Sequence, residues 1–279
     1  MVIKDELSKV IDIFKNNNID NYIFEAHLIF RHFLKMSPMD LVLEGNSELE
    51  KKHYDEISEA VKRRCENEPL QYILNSQEFM GLDFYVDKNV LVPRADTETL
   101  VEHILEHFTG KAFTGFNVGC GSGCIEISLA YFNHGAHMRG IDISPKAVEI
   151  ATKNAEKNGV LQRCCFENYD IFSYEAFGKY DLIVSNPPYI ETDEINKLED
   201  NVRLYEPHLA LDGGADGMKF YRKICDIAPK LLKKSGMLAF EVGHTQARAV
   251  GKMMEKNFEN IEFVTDLCGV ERVVSGLLS

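Results

Sequence analysis

Asn117-Val-Gly-Cys-Gly-Ser-Gly-Cys-Ile-Glu-Ile-Ser-Leu-Ala130 carries, in order, the end of an apolar strand, a turn with glycines at 119, 121 and 123, and the start of a helix. Glycines spaced at two tolerate positive φ, so the backbone amides of such a turn approach a ligand closely at a helix N-terminus. The next strand ends in Gly140-Ile-Asp142-Ile-Ser-Pro145, which sets a carboxylate nineteen residues after Gly123. A carboxylate at that edge can accept both hydroxyls of a ribose. The glycine turn alone is a weak signal, but with Asp142 it specifies an adenosine ligand. Working outward, everything beyond Pro93 alternates helix and strand, with strands centred on Phe116–Val118, Met138–Ile141, Cys164–Phe166, Leu182–Val184, Leu238–Glu241, Glu262–Val264 and Arg272–Ser275. Seven such strands predict an α/β fold with a doubly wound, mostly parallel sheet covered on both faces.

Upstream the periodicity is different. From Lys4 to about Asn67 it is helical, with Leu7, Val10, Ile11 and Phe14 on one face, then Phe24, Leu28, Ile29, Phe33 and Leu34. Ser37-Pro38 interrupts it, and a further helix runs from about Ser47 to Cys65. Residues 1–72 are therefore expected to form a small helical bundle that binds rather than catalyses. Lys62-Arg63-Arg64 closes the last helix and complements its dipole, although three basic residues could also touch RNA. Between Pro69 and Pro93 the pattern turns to alternation, in Phe79-x-Gly81-x-x-Phe84-x-Val86 and Val90-Leu91-Val92. This predicts a two-stranded hairpin linker over 73–92, followed by a cofactor-binding domain over 93–279.

A second motif narrows the chemistry. Tyr180-Asp-Leu-Ile-Val-Ser185 reads as a buried strand and runs directly into Asn186-Pro187-Pro188-Tyr189. The strand sets an amide at its carboxyl edge, where open α/β sheets bind ligands, and the prolines keep the backbone extended. Asn186 Oδ1 and the Pro187 carbonyl can each accept one hydrogen of a planar NH2 group, with Tyr189 as a flat face beside it. NAD and S-adenosylmethionine both suit the glycine turn and Asp142. A dehydrogenase has no need of an NH2 clamp beside the pocket, whereas methyl transfer to nitrogen does. Tyr169-Asp-Ile171-Phe172 precedes the fourth strand and can flank an adenine, or serve only as a loop anchor.

With these motifs the chain resembles the release-factor glutamine methyltransferases, the PrmC/HemK family. The resemblance runs nearly end to end: Pro69-Leu-Gln-Tyr-Ile73, Phe79-x-Gly81, Val90-Leu-Val-Pro-Arg94-x-x-Thr97-Glu98, Gly140-Ile-Asp-Ile-Ser-Pro-x-Ala-Val148, Asn186-Pro-Pro-Tyr-Ile190 and Tyr205-Glu-Pro-His-Leu-Ala-Leu-Asp-Gly-Gly214. Asn-Pro-Pro-Tyr is shared with adenine methyltransferases; the Pro-Arg-x-x-Thr-Glu, Tyr-Glu-Pro and Asp-Gly-Gly segments discriminate. The resemblance implies a class I methyltransferase domain and an amino-terminal domain that recognises the release factor. It implies S-adenosylmethionine, with S-adenosylhomocysteine as product, held by Gly119, Cys120, Gly121, Ser122, Gly123, Asp142, Ile171 and Asn186. Asn186, Pro187, Pro188 and Tyr189 would bind the glutamine of a Gly-Gly-Gln loop, with Asn186, Pro187 and Tyr189 as the catalytic set and Arg94, Thr97 and Glu98 as site wall; for Arg94 and Glu98 the alternatives are helix capping and a salt bridge. Asn117 stands where the family commonly has aspartate, so a carboxylate facing the methionine amino group is missing, and Ile171 replaces a common aromatic.

Composition bounds the remainder. The formal charge of −13 argues against a broad phosphate-binding surface, so protein rather than nucleic acid is the expected partner, and the main rival is an adenine methyltransferase acting on a flipped base. A binding module that retains a cofactor pocket is a rival of another class. Seven cysteines without a CxxC pair suggest reduced thiols. No apolar run reaches membrane-spanning length, and a cytoplasmic monomer is expected. His103 and His107 share a helix face at metal-ligand spacing, but no third ligand is near in sequence, so no metal is expected. Glu191–Asp200, rich in acid, reads as a lid or a solvated loop.

Overall fold

The computed structural model describes residues 1–174 and 179–279. Its contacts divide the chain into two compact units, one of residues 1–75 with 200–205 and one of residues 76–199 with 206–279.

The smaller unit contains α1 (Ile3–Asn16), α2 (Tyr22–Leu34), α3 (Pro38–Leu43), α4 (Lys51–Cys65) and α5 (Leu70–Leu74). Ser37-Pro38 does more than interrupt a helix. Ser37 Oγ accepts the Asp40 amide while Asp40 returns a bond to the Ser37 amide, a reciprocal cap that starts α3. The core is Val10 and Phe14 of α1, Ala26, Ile29 and Phe30 of α2, and Ile57, Ala60 and Val61 of α4. Phe24, expected on the buried face of α2, is instead 62% exposed. The stripe that fits α1 and α4 is Ala26-Ile29-Phe30, at spacings of three and four, and Phe24 lies off it. Arg63 and Arg64 are paired with Glu68 and Glu25, so these two cations support the unit's own structure.

The larger unit runs through β1 (Gln77–Phe79), β2 (Leu82–Phe84), α6 (Ala95–His107), β3 (Phe113–Val118), α7 (Cys124–Phe132), β4 (Ala136–Asp142), α8 (Pro145–Lys157), β5 (Cys164–Asn168) and β6 (Tyr180–Ser185). After α9 (Asp200–Tyr205), which belongs to the smaller unit, come α10 (Lys219–Leu231), β7 (Leu232–Glu241), α11 (Ala247–Met254), β8 (Phe258–Thr265) and β9 (Glu271–Leu278). All seven expected strands join one sheet of order β5-β4-β3-β6-β7-β9-β8, in which β9 alone is antiparallel to its neighbours. Strand alternation separates two cores. Leu182, Val184, Met237, Ala239 and Val273 pack with α6 and α7, whereas Ile183, Leu238, Phe240 and Val274 pack with α10 and α11.

The hairpin of β1 and β2 turns at Met80-Gly81, and both turn residues have positive φ. Phe79, Leu82 and Phe84 belong to the same core cluster as Leu100 and Ile104, so the hairpin is built into the larger unit. Val90-Leu91-Val92, read from its pattern as a strand, joins neither sheet. It runs as a strap outside regular structure that buries Val90 and Val92 and sets Leu91 against a cavity.

Candidate functional site

The sheet changes direction of winding between β3 and β6, since β3 leads to β4 on one side and β6 lies on the other. Ligands bind at the carboxyl ends of strands flanking such a switch. Four strand ends deliver polar groups here: β3 the glycine turn, β4 Asp142, β6 Asn186 and β7 Glu241. Ser185 Oγ donates to the Val118 carbonyl at 2.6 Å and ties the ends of β6 and β3 together.

A cavity of about 490 Å³ opens at the switch. Gly119, Cys120, Gly121, Ser122, Asp142, Ile171, Asn186, Pro187, Pro188, Arg94 and Thr97 all line it, so residues far apart in the chain converge as the motifs imply. Gly123, Tyr189 and Glu98 do not. Gly123 is packed beneath, where an added Cβ would come within 3.0 Å of Ala151 and Ile127. Tyr189, expected as a flat face for the substrate, is half-buried and packs against the core formed with α10 and α11. Its carbonyl accepts from Gln246 Nε2 at 2.9 Å, and burial pushes its hydroxyl up to about 12. Glu98, expected in the wall, spends its carboxylate on the Met80 amide at 2.6 Å and so fastens the hairpin turn.

At Gly121, φ is +53° and a Cβ would meet open space, so glycine is there for backbone conformation. The Gly121 amide donates to Asp142 Oδ2 at 3.0 Å and the Ser144 amide to Oδ1 at 2.9 Å. Burial raises the Asp142 carboxyl while these amide bonds oppose it. Each oxygen thus has a protein amide within 3.0 Å and keeps capacity for a donor from the cavity, as a diol requires. Tyr169, Ile171, Phe172 and Ile143 supply apolar surface beside Asp142, so the aromatic missing at 171 has neighbours in its place. An open glycine turn, a carboxylate at the second strand and an apolar wall fit an adenosine-type cofactor.

Asn117 answers differently from expectation. It is wholly buried, is absent from the cavity lining, and its Nδ2 donates to Glu126 Oε1 of α7 at 2.9 Å. The residue therefore supports the turn from below. Burial pushes the Glu126 carboxyl up to about 8. Gly140 is needed beside it, because an added Cβ would collide with Glu126 Oε1. Burial also raises the Cys120 and Cys124 thiols, the latter to about 12, which keeps both protonated and inert. Outside the cavity, His103 Nε2 lies 2.8 Å from Ser275 Oγ.

Three groups of contacts join partners that the sequence does not identify. Arg94 pairs with the buried Glu206, which fixes the start of the Pro207–Ala210 cavity wall. Asp212 Oδ1 accepts from Thr192 Oγ1 at 2.7 Å and from the Gly214 amide at 2.9 Å, which fastens the chain just after the Asn-Pro-Pro-Tyr motif. The acidic stretch beyond it begins with a short 3-10 helix, Thr192–Lys197, whose Ile195 is buried. Behind the cavity, Asn186 Nδ2 donates to Thr97 Oγ1 at 3.1 Å, and Thr97 Oγ1 donates to Glu241 Oε2 at 2.5 Å. Glu241 is 2% exposed and burial pushes its carboxyl up to about 7. A single acid closing the apolar run Met237-Leu-Ala-Phe-Glu241 was the available signal.

Strand order, glycine turn and Asp142 together define a class I methyltransferase. Comparison with known proteins agrees: residues 111–275 match a family model described as a methyltransferase domain, and residues 6–74 match the PrmC N-terminal domain. The release factor glutamine methyltransferase of Clostridium acetobutylicum is 37% identical over 98% of both chains. That of Geobacter sulfurreducens is 44% identical over 77% of this chain and 75% of its own. A methyltransferase structure from Pyrococcus furiosus superposes with a TM-score of 0.53 at 17% identity, covering 79% of this chain and 98% of that one, and shares the fold. The chain belongs to the release factor glutamine methyltransferase family, and its cofactor is S-adenosylmethionine.

Proposed function

We propose that this enzyme methylates N5 of the glutamine side chain in the Gly-Gly-Gln motif of peptide-chain release factors. The observation that carries the reading is Asn186, which lines the same cavity as the glycine turn and Asp142 while its amide nitrogen is engaged by Thr97. That bond leaves Oδ1 as the acceptor end of the amide. S-adenosylmethionine supplies an activated methyl group when bound, and Gly119–Ser122, Asp142 and Ile171 are the residues that would hold it.

A glutamine amide nitrogen is a poor nucleophile because its lone pair is delocalised into the carbonyl. Asn186 Oδ1 and the Pro187 carbonyl would each accept one of its hydrogens, which orients the nitrogen and stabilises the positive charge that develops on it. The methylated amide cation is strongly acidic, so its proton passes to solvent without a dedicated base. Arg94 and the Pro207–Ala210 wall shape the opening, and Pro188 limits the clamp's freedom. In this reading the helical unit selects the release factor, and the reaction takes place in the cytoplasm with a monomeric enzyme. The −13 charge favours a protein acceptor over nucleic acid.

The test uses labelled S-adenosylmethionine with a release factor, with the same factor carrying alanine at the Gly-Gly-Gln glutamine, and with an adenine-containing DNA duplex, followed by peptide mapping. Label confined to the intact factor at that glutamine is expected. Label on DNA would move the assignment to an adenine methyltransferase, and cofactor binding without any transfer would mean another acceptor.

A further inference from the structure

The polar chain behind Asn186 has a direction. Thr97 Oγ1 carries a single hydrogen, and Glu241 Oε2 at 2.5 Å takes it when the carboxyl is ionised. The hydroxyl can then only accept from Asn186, so the amide must turn Nδ2 toward Thr97 and Oδ1 away from it. Asn has no preference of its own between these two orientations, which differ only in the positions of O and N. We propose that Glu241, acting through Thr97, is a positioning residue that sets the orientation of the Asn186 amide and thereby makes Asn186 an acceptor for the substrate NH2. The inference rests on the glutamine-methylation reading above.

The surroundings support a dedicated role. Glu241 closes β7 in a wholly apolar strand end and is almost inaccessible, a costly place for a carboxylate unless its bonds are used. It is faced by Asp96 and Thr97 of α6, Asn186 and Tyr189 beyond β6, Arg272 of β9, Tyr221 of α10, whose hydroxyl donates to the Glu241 carbonyl at 3.0 Å, and Cys124 of α7. Burial pushes the Glu241 carboxyl up and Asp96 adds to this, while the Thr97 hydroxyl, Arg272 and the Asn186 amide pull it down, and the result lies at about 7. When Glu241 takes up a proton it becomes a donor to Thr97, the Thr97 hydroxyl turns toward Asn186, and the amide is free to flip and present Nδ2 to the cavity. An NH2 facing an NH2 cannot hold the substrate.

The experiment measures kcat, KM for a release factor and S-adenosylmethionine affinity across pH 5.5–9 for the native enzyme, Thr97→Val, Thr97→Ser and Glu241→Gln. Native kcat is expected to fall on the acid side of about pH 7. Thr97→Val keeps the side-chain shape but breaks the chain, and should lower kcat about tenfold with cofactor affinity retained. Its acid limb should flatten, as should that of Glu241→Gln, whereas Thr97→Ser should restore both rate and limb. A native acid limb that persists unchanged in Thr97→Val at full kcat would overturn the inference, as would a Thr97→Ser enzyme as slow as Thr97→Val. If Glu241→Gln does not fold, the Thr97 pair still decides. Failure of the native enzyme to label glutamine would sink the functional reading instead, which separates the two.

Discussion

At Asn186 the expected cost is specific to turnover. Asn186→Ala should lower kcat by about 100-fold or more while S-adenosylmethionine affinity, measured by titration calorimetry, stays close to native. Weak cofactor binding with native turnover at saturation would count against the clamp. Asn117 makes the opposite kind of prediction, because it faces Glu126 and not the cavity. Asn117→Asp would set two buried carboxyls side by side and should destabilise the fold by about 3 kcal/mol at pH 8.5, less at pH 6, with cofactor affinity little altered. Thermal melts at the two pH values check it. Glu126 also sets a pH dependence of stability. Its folded pKa of about 8 lies above the ordinary 4.5, so the unfolded chain gives up a proton that the folded one keeps. That stability is fully present below about pH 4.5 and is lost as pH climbs toward 8; Glu241, raised to about 7, acts in the same sense. Glu126→Gln should flatten part of this decline in denaturant titrations, whereas an equally steep decline would mean that Glu126 is ionised in the fold.

At the level of elements, the N-cap and first turn of α6 do three jobs in five residues. Arg94 holds Glu206, Thr97 meets Asn186 and Glu241, and Glu98 caps the Met80 amide at the hairpin turn. The Pro-Arg-x-x-Thr-Glu motif is legible as a motif, but the sequence leaves site wall, helix cap and salt bridge all open for Arg94 and Glu98, because it does not name their partners. A helix turns 100° per residue, so neighbours three and four apart share a face only roughly and can serve separate partners. Glu98→Ala is accordingly predicted to cost about 1–2 kcal/mol of stability in urea titrations and to leave S-adenosylmethionine affinity unchanged. A large loss of affinity would return Glu98 to the site wall. Strand identity was legible because Leu182-Ile-Val and Met237-Leu-Ala-Phe are apolar on both faces, as a covered parallel sheet demands. Val90-Leu91-Val92 has the same local pattern yet joins no sheet, because pattern reports burial and not which backbone lies alongside.

On the scale of the whole molecule, the cavity-lining residues all belong to the larger unit, while the smaller unit shows a set of exposed apolar side chains: Phe24, Met39, Val42 and Leu43. If the helical unit recognises the release factor, serine at Phe24 and Val42 should raise KM for that factor about three- to tenfold and leave affinity for S-adenosylmethionine alone. Unchanged KM in steady-state assays would remove these positions from recognition. The convergence of glycine turn, Asp142 and Asn186 could be anticipated, since strand ends at a winding switch share an edge. Glu241 and Glu206 could not, because what makes them matter is a partner more than a hundred residues away.

The position of β9 between β7 and β8 bears on how the molecule is made. A ribosome delivers β8 before β9, yet β8 has no place on the sheet until β9 has paired with β7. The nascent chain therefore holds β8 off the sheet until β9 is made, and Arg272, which β9 brings to Asp96 and into the surroundings of Glu241, arrives with the pairing of β9 and β7. The back of the site is thus completed after the strands that line the cavity.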